Sequence, residues 1–323
     1  NMILHQELEK KIAEFKSTEA ALLFSTGYMA NVGAVCALVG REDIIIGDKL
    51  NHASIIDGCR QSGATFRVYP HNNVSQLESL LQKSSKYRRR MVVTDSVFSM
   101  DGDTAPLPDI VEVSKKYDAI IMIDDAHATG VFGQHGKGMI EHYRLEGKID
   151  IIMGSLSKAI GSIGGFIAGS KHLIDFLKNK ARSFIYTTAL PPAACAASLA
   201  GLTLIQEDTS LIDKLWENVR YLKSQLSEFI SNISAESPII PIIIGSAEDA
   251  LNLSTRLYEN GILIPAIRPP TVPLGTSRLR ISLMATHSKE DINRLIDTLK
   301  AIGFFVTVHL TAENAKIAEV VKE

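Results

Sequence analysis

A chain of 323 residues, 46% apolar and 22% charged, is too long for one simple core and has the balance of an ordinary soluble enzyme of two domains. A formal net charge of −2 argues against a nucleic-acid or anionic-membrane partner. Three widely spaced cysteines, Cys36, Cys59 and Cys195, point to reduced thiols in a cytoplasmic setting, with no disulfide framework and no zinc ribbon.

In chain order, the first residues already read as a helix, so the natural N-terminus is expected upstream of Asn1 and targeting is not legible there. Ala20 to Gly40 carries no charge, but Ser25, Thr26, Gly27, Asn31 and Gly33 make it a strand, turn and buried helix rather than a membrane span. Apolar runs rich in Ile and Val recur at Ile44–Ile46, Phe66–Tyr69, Met91–Val93, Ala119–Ile123, Ile149–Met153 and Gly165–Ala168. Helical patterns such as Pro106 to Tyr117 lie between them, and the basic run Lys83 to Arg90 reads as a solvated loop. Strands buried on both faces and alternating with helices predict an α/β domain with a mostly parallel, doubly wound sheet. The uncharged run Ser183 to Gln206 is broken by Pro191-Pro192 and is not a span either. From Leu211 the texture changes. An amphipathic helix through Leu215, Val219, Leu222, Leu226 and Ile230 leads to strands at Ile239–Ile244, Ile262–Ile267 and Arg278–Leu283, with helices near Ala247–Asn260 and Lys289–Ile302. The expected division is a large domain over residues 1–210 and a smaller α+β domain over 211–323, with no role assigned to the tail after Gly303.

In open parallel sheets, ligands bind beyond the carboxyl ends of the strands. Here Met91–Val93 runs into Thr94-Asp95-Ser96 and Ser99, Ala119–Ile123 into Asp124-Asp125-Ala126-His127, and Ile149–Met153 into Ser155-Leu156-Ser157-Lys158. Neighbouring strands would gather carboxylates, an imidazole, hydroxyls and an amine in one cleft. Asp124 follows five apolar residues and should be nearly buried, which is costly for an acid without a cation. Its bland alternative is a helix N-cap, a role Asp125 is able to fill. Lys158 could be an ordinary surface lysine, but it is the only charge between Asp150 and Lys171 and sits among serines and glycines. Such a setting predicts a desolvated amine able to form a Schiff base, while a carboxylate holds a pyridinium nitrogen, the pair that pyridoxal phosphate (PLP) chemistry requires.

Ser25-Thr26-Gly27-Tyr28 sits between a strand and a helix and suits an anion site, with Ser155, Thr187 and Thr188 as further hydroxyl candidates. His52, in Asn51-His52-Ala53-Ser54, either stacks on an aromatic ring or starts a helix. A metal reading of Asp124, Asp125, His127 and His135 matches no established ligand spacing. Alternation along Arg278 to Leu283 puts Arg278, Arg280 and Ser282 on one face, a clamp for a carboxylate or else the charge of an edge strand. Arg268 opens a stiff proline-rich loop that ends at Pro273.

Asn51-His-Ala-Ser54, Val97–Asp103, Asp124–Gly130, Ser155-Leu-Ser-Lys158 and Ala266–Pro273 with Gly275–Arg280 together resemble the α-oxoamine synthases, PLP enzymes of aminotransferase fold type I. The likeness runs from about residue 3 to 303 and implies that the large domain binds PLP. It implies a bond between Lys158 and PLP and a pairing of Asp124 with the ring nitrogen. His52 would stack on the ring, Ser99 and His127 would face the phenolic oxygen, and Gly27, Tyr28 and Ser155 would hold phosphate. Arg280 would grip an amino-acid carboxylate, with Thr271 and Arg268 toward the acyl substrate; no metal is implied. The segment through Pro273 is most similar to the biotin-pathway branch, which implies decarboxylative condensation of L-alanine with pimeloyl-CoA or a pimeloyl carrier protein in a cytoplasmic homodimer. The alternatives are glycine with acetyl-CoA, giving 2-amino-3-ketobutyrate, and a catalytically silent partner subunit, against which the presence of Lys158 argues. Two departures stand out: Asp95 occupies a position where relatives often carry Glu, and the family's glycine-rich N-terminal segment is not in this sequence.

Overall fold

The computed structural model describes residues 2–231 and 233–304 and divides into two compact units. Among the described residues, one comprises 2–98 and 105–209; the other comprises 99–104, 210–231 and 233–304. The role of the tail beyond residue 304 lies outside the described residues.

The first unit runs α1 (Ile3–Lys16), β1 (Ala20–Phe24), α2 (Gly27–Leu38), β2 (Ile44–Asp48), α3 (Ala53–Gln61), β3 (Thr65–Tyr69), α4 (Val74–Gln82), β4 (Arg90–Asp95) and α5 (Leu107–Lys116). It continues with β5 (Ile120–Asp124), α6 (Met139–His142), β6 (Ile151–Ser155), β7 (Gly165–Gly169), α7 (Lys171–Lys180), α8 (Arg182–Ile185) and α9 (Pro192–Glu207). The seven strands order as β1-β7-β6-β5-β4-β2-β3. Only β7 is antiparallel to its neighbours, so the sheet is mostly parallel, as the apolar runs predict. Ile45, Met91, Val93, Met122, Ile151 and Met153 join one apolar cluster with Val35 of α2 and Leu177 of α7. Ile46, Val92, Ile121, Ile123 and Ile152 point to the opposite face and are buried as well, which is why these strands read as unbroken apolar runs.

Two glycines set the approach of α2 to the sheet. A Cβ on Gly165 would lie 2.5 Å from the Gly27 backbone, and one on Gly27 would lie 2.8 Å from Met153 Cε. The start of α2 therefore rests directly on β6 and β7.

The second unit contains α10 (Ser210–Leu226), β8 (Ile239–Gly245), α11 (Ala247–Glu259), β9 (Ala266–Ile267), β10 (Ser277–Ser282) and α12 (Lys289–Ala301). Its antiparallel sheet has the order β8-β10-β9. β10 is thus the middle strand, which overturns the edge-strand reading of its arginines. Leu279 and Ile281 are buried on one face, while Arg278 on the other pairs with Asp101 at 2.6 Å and Arg280 Nε donates to the Ser99 carbonyl. Those bonds hold residues 99–104 in this unit. The strand expected over Ile262–Ile267 shrinks to Ala266–Ile267, because Pro265 has no N–H to extend the ladder. α10 stops at Leu226, although Ile230 beyond it is still buried.

Candidate active site

The candidate site of the first unit stands at the carboxyl ends of β4, β5 and β6. Asp95 and Asp124 face each other in register on neighbouring parallel strands, so their side chains leave the sheet on the same side. Both are buried. Asp124 Oδ2 accepts from Asn31 Nδ2 at 2.7 Å and Oδ1 from the Ala126 N–H at 3.0 Å; it makes no ion pair among the described residues. Asp95 accepts the His52 backbone N–H at 2.7 Å. Burial pushes the Asp124 carboxyl above its ordinary range, opposed by Asn31, then Ala126, then the charges of His52 and Lys158. Burial lifts Asp95 well above that range too, helped by the charge of Asp124 and opposed by the His52 N–H and by Lys158.

Lys158 follows β6 in the turn that closes with the Gly161 N–H on its carbonyl. Its charge reaches both acids, which ties the amine to the carboxylates. The side chain is exposed, however, and not desolvated as the sequence predicts, because it projects beyond the sheet end where the neighbouring Ser157 and Ala159 are exposed too. Ser155 is buried, 2.8 Å from Ser157 Oγ. Thr26 caps α2 by accepting from the Met29 N–H, which leaves the amides of Gly27 and Tyr28 uncommitted within the helix. The Tyr28 hydroxyl donates to Asp57 at 2.6 Å.

His52 is exposed and caps α3, so the helix-start reading of its position holds. His127 is half-buried in the turn after β5. Thr187 and Thr188 line a cavity of about 200 Å³ with His5, Ser25 and Leu190, and its lining includes neither Asp124 nor His52. Ser99, Arg268, Thr271 and Arg280 belong to the second unit.

Asp125, able by sequence to cap a helix, caps none in its own segment, where residues 126–130 form a turn; its one contact with a helix start among the described residues is the Met139 N–H of α6. Lys16, buried at the end of α1, donates to Asp125 Oδ2 at 2.8 Å, Thr129 Oγ1 at 2.7 Å and the Lys137 carbonyl at 2.6 Å. Asp125 Oδ1 accepts from Ser96 Oγ at 2.8 Å and the Met139 N–H at 3.2 Å. This network and the Asn31 bond both escaped sequence reasoning. The available signal for Asn31 was a polar side chain in an otherwise small and apolar helix. His135 is bonded to Glu141, which removes it from the metal reading. Among the described residues no helix is long and apolar enough to cross a membrane.

The sequence matches the aminotransferase class I and II family over residues 1–299. The chain belongs to that family. Among curated relatives, the 8-amino-7-oxononanoate synthase of Thermoanaerobacter pseudethanolicus is 47% identical, over 94% of this chain and 77% of that protein. That of Lysinibacillus sphaericus is 49% identical, over 94% and 78%. Among solved structures, serine palmitoyltransferase from S. paucimobilis with a bound PLP–myriocin aldimine is 33% identical with a TM-score of 0.91, over 94% of this chain and 77% of that one. The architecture is that of the PLP-dependent fold type I enzymes.

Proposed function

We propose that the chain is a PLP-dependent acyltransferase that joins L-alanine to a pimeloyl thioester, releasing carbon dioxide and the thiol and giving 8-amino-7-oxononanoate for biotin synthesis. The observation that carries the reading is the buried carboxyl of Asp124, which makes no ion pair among the described residues and stands at the end of β5 beside β6, the strand that leads into Lys158. The relatives supply the substrate class.

The residues present fit PLP. Asp124 suits a ring nitrogen that carries a proton, since a buried carboxylate is stabilised by a cation. Beside it, Asn31 Oδ1 is buried without a hydrogen-bond partner among the described residues. The amides of Gly27 and Tyr28 and the hydroxyl of Ser155 suit phosphate, whereas Thr187 and Thr188 line a cavity whose lining includes none of these three residues. When bound, PLP supplies a sink for the electrons left on the amino-acid carbon.

In this reading Lys158 carries the cofactor, removes the α-proton of alanine and later returns a proton. Asp124 stays ionised and keeps positive charge at the ring nitrogen. His52 takes the ring face, and Ser99 and His127 serve the phenolic oxygen. Arg280 binds the alanine carboxylate, for which a guanidinium is well matched, and Arg268 and Thr271 border the acyl group. The first unit is the PLP-binding domain and the second the smaller substrate domain. A homodimer belongs to the reading, supported by exposed Ile185, Tyr186 and Leu204 in the long uncharged run. The protein loaded with PLP and given alanine and pimeloyl-CoA is expected to yield a product with the mass of 8-amino-7-oxononanoate. Turnover of glycine with acetyl-CoA in its place overturns the substrate assignment.

A further inference from the structure

We propose that Asn31 and Ser54 are positioning residues that join His52 to Asp124 in one hydrogen-bonded chain, fixing the tautomer of the imidazole and the ionised state of the acid. Asn31 Nδ2 donates to Asp124 Oδ2 at 2.7 Å and to Ser54 Oγ at 2.9 Å. Ser54 Oγ lies 2.7 Å from His52 Nδ1, and the Ser54 backbone N–H donates to the same nitrogen at 3.2 Å. A backbone N–H acts only as a donor, so Nδ1 carries no proton and the ring proton of neutral His52 sits on Nε2. The Ser54 hydroxyl, having accepted from Asn31, then gives its proton to Nδ1.

Every bond in the chain therefore has a set direction. Reversing the Asn31 amide would bring its carbonyl oxygen against Asp124 Oδ2, an arrangement open only to a protonated acid. Asn31 and Ser54 are 0% and 1% exposed, so water does not replace either partner. Burial favours the neutral form of Asp124, and the Asn31 donation is the largest influence opposing it. A neutral amide thus helps keep the acid charged, and the same amide orients the hydroxyl that holds the histidine ring.

The catalytic consequence rests on the function proposed above, where an ionised Asp124 is needed; the hydrogen-bonded chain itself does not. The test begins without PLP. Nitrogen-15 NMR of the imidazole side chains, with His52 assigned by its loss in His52→Gln, should show neutral His52 as the Nε2–H tautomer. In Ser54→Ala, which keeps the backbone N–H on Nδ1 but loses the hydroxyl donor, the Nε2–H tautomer should lose population to Nδ1–H. Carbon-13 NMR of the side-chain carboxyls at pH 7 should show Asp124 ionised in the unaltered protein and shifted toward the protonated form in Asn31→Leu. An Nδ1–H tautomer in the unaltered protein, a tautomer unmoved in Ser54→Ala, or a protonated Asp124 at the outset overturns the proposal. In the PLP-loaded protein, Asn31→Leu should lower kcat on the order of tenfold with a much smaller change in KM for alanine; equal changes in the two count against positioning. If Asn31→Leu does not fold, the tautomer measurements on the unaltered protein and Ser54→Ala still decide. Correct tautomers in a protein that never turns over alanine would sink the function and leave the hydrogen-bonded chain standing.

Discussion

Asp124 and Asp125 are adjacent, both buried, and held in opposite ways. Asp125 meets a buried lysine and two further donors, and that lysine spends its remaining bonds on Thr129 and the Lys137 carbonyl. Among the described residues Asp124 has only neutral donors in contact and feels its cations from farther off. The first acid is finished by the fold; the second retains the capacity to stabilise a cation brought to it. Burial alone therefore does not mark the functional carboxylate. In the proposed function Asp124 is set apart from Asp125 by having no cation bonded to it among the described residues.

The sharpest way to break this contrast is at Lys158. Lys158→Ala should reduce turnover to background while leaving the unfolding free energy within about 0.5 kcal/mol, since the side chain is exposed. Steady-state assays and urea titration separate the two effects, and retained turnover would remove the lysine from the chemistry. Next in size is Lys16→Met, which strands the Asp125 charge in the interior and should cost about 3–5 kcal/mol by urea titration. Adding Asp125→Leu should recover much of that loss; no recovery would mean the pair is not the source.

Asp95→Asn should act more gently and in the other direction. The folded chain holds the Asp95 proton more tightly than the unfolded chain, whose ordinary value is 3.8, because of burial and then the charge of Asp124. The penalty is therefore absent below that value and grows as pH rises from it toward the raised folded value. Asp95→Asn keeps an oxygen for the His52 N–H, so its stability should decline less across that window and its Tm at pH 7 should rise by a few degrees. A lower Tm at pH 7 would show that the charge is favourable where it stands. The smallest effect is expected at Tyr28→Phe, which removes an exposed bond to Asp57 and should leave the melting temperature nearly unchanged.

Much of this contrast was legible in the sequence. Five apolar residues ahead of Asp124 announce a buried strand end, and the same logic placed Asp95, Ser155 and the turn bearing Lys158. The partners of the two acids were not legible, because Asn31 and Lys16 lie 93 and 109 residues away from them and meet them only through folding. Spacing within a segment says nothing about such distant pairings. The exposure of Lys158 escaped for a related reason: the absence of charged neighbours along the chain does not determine what covers a side chain in space. At β9 a single proline outweighed the apolar pattern, and at β10 strand order, which one strand does not encode, decided against an edge.

Reductive trapping tests the central claim most directly. The protein is mixed with PLP, treated with borohydride, digested and mapped by mass spectrometry. The account predicts a stable PLP adduct on the peptide containing Lys158, with its yield strongly reduced in Asp124→Ala. An adduct on another lysine, or none at saturating PLP, would contradict it.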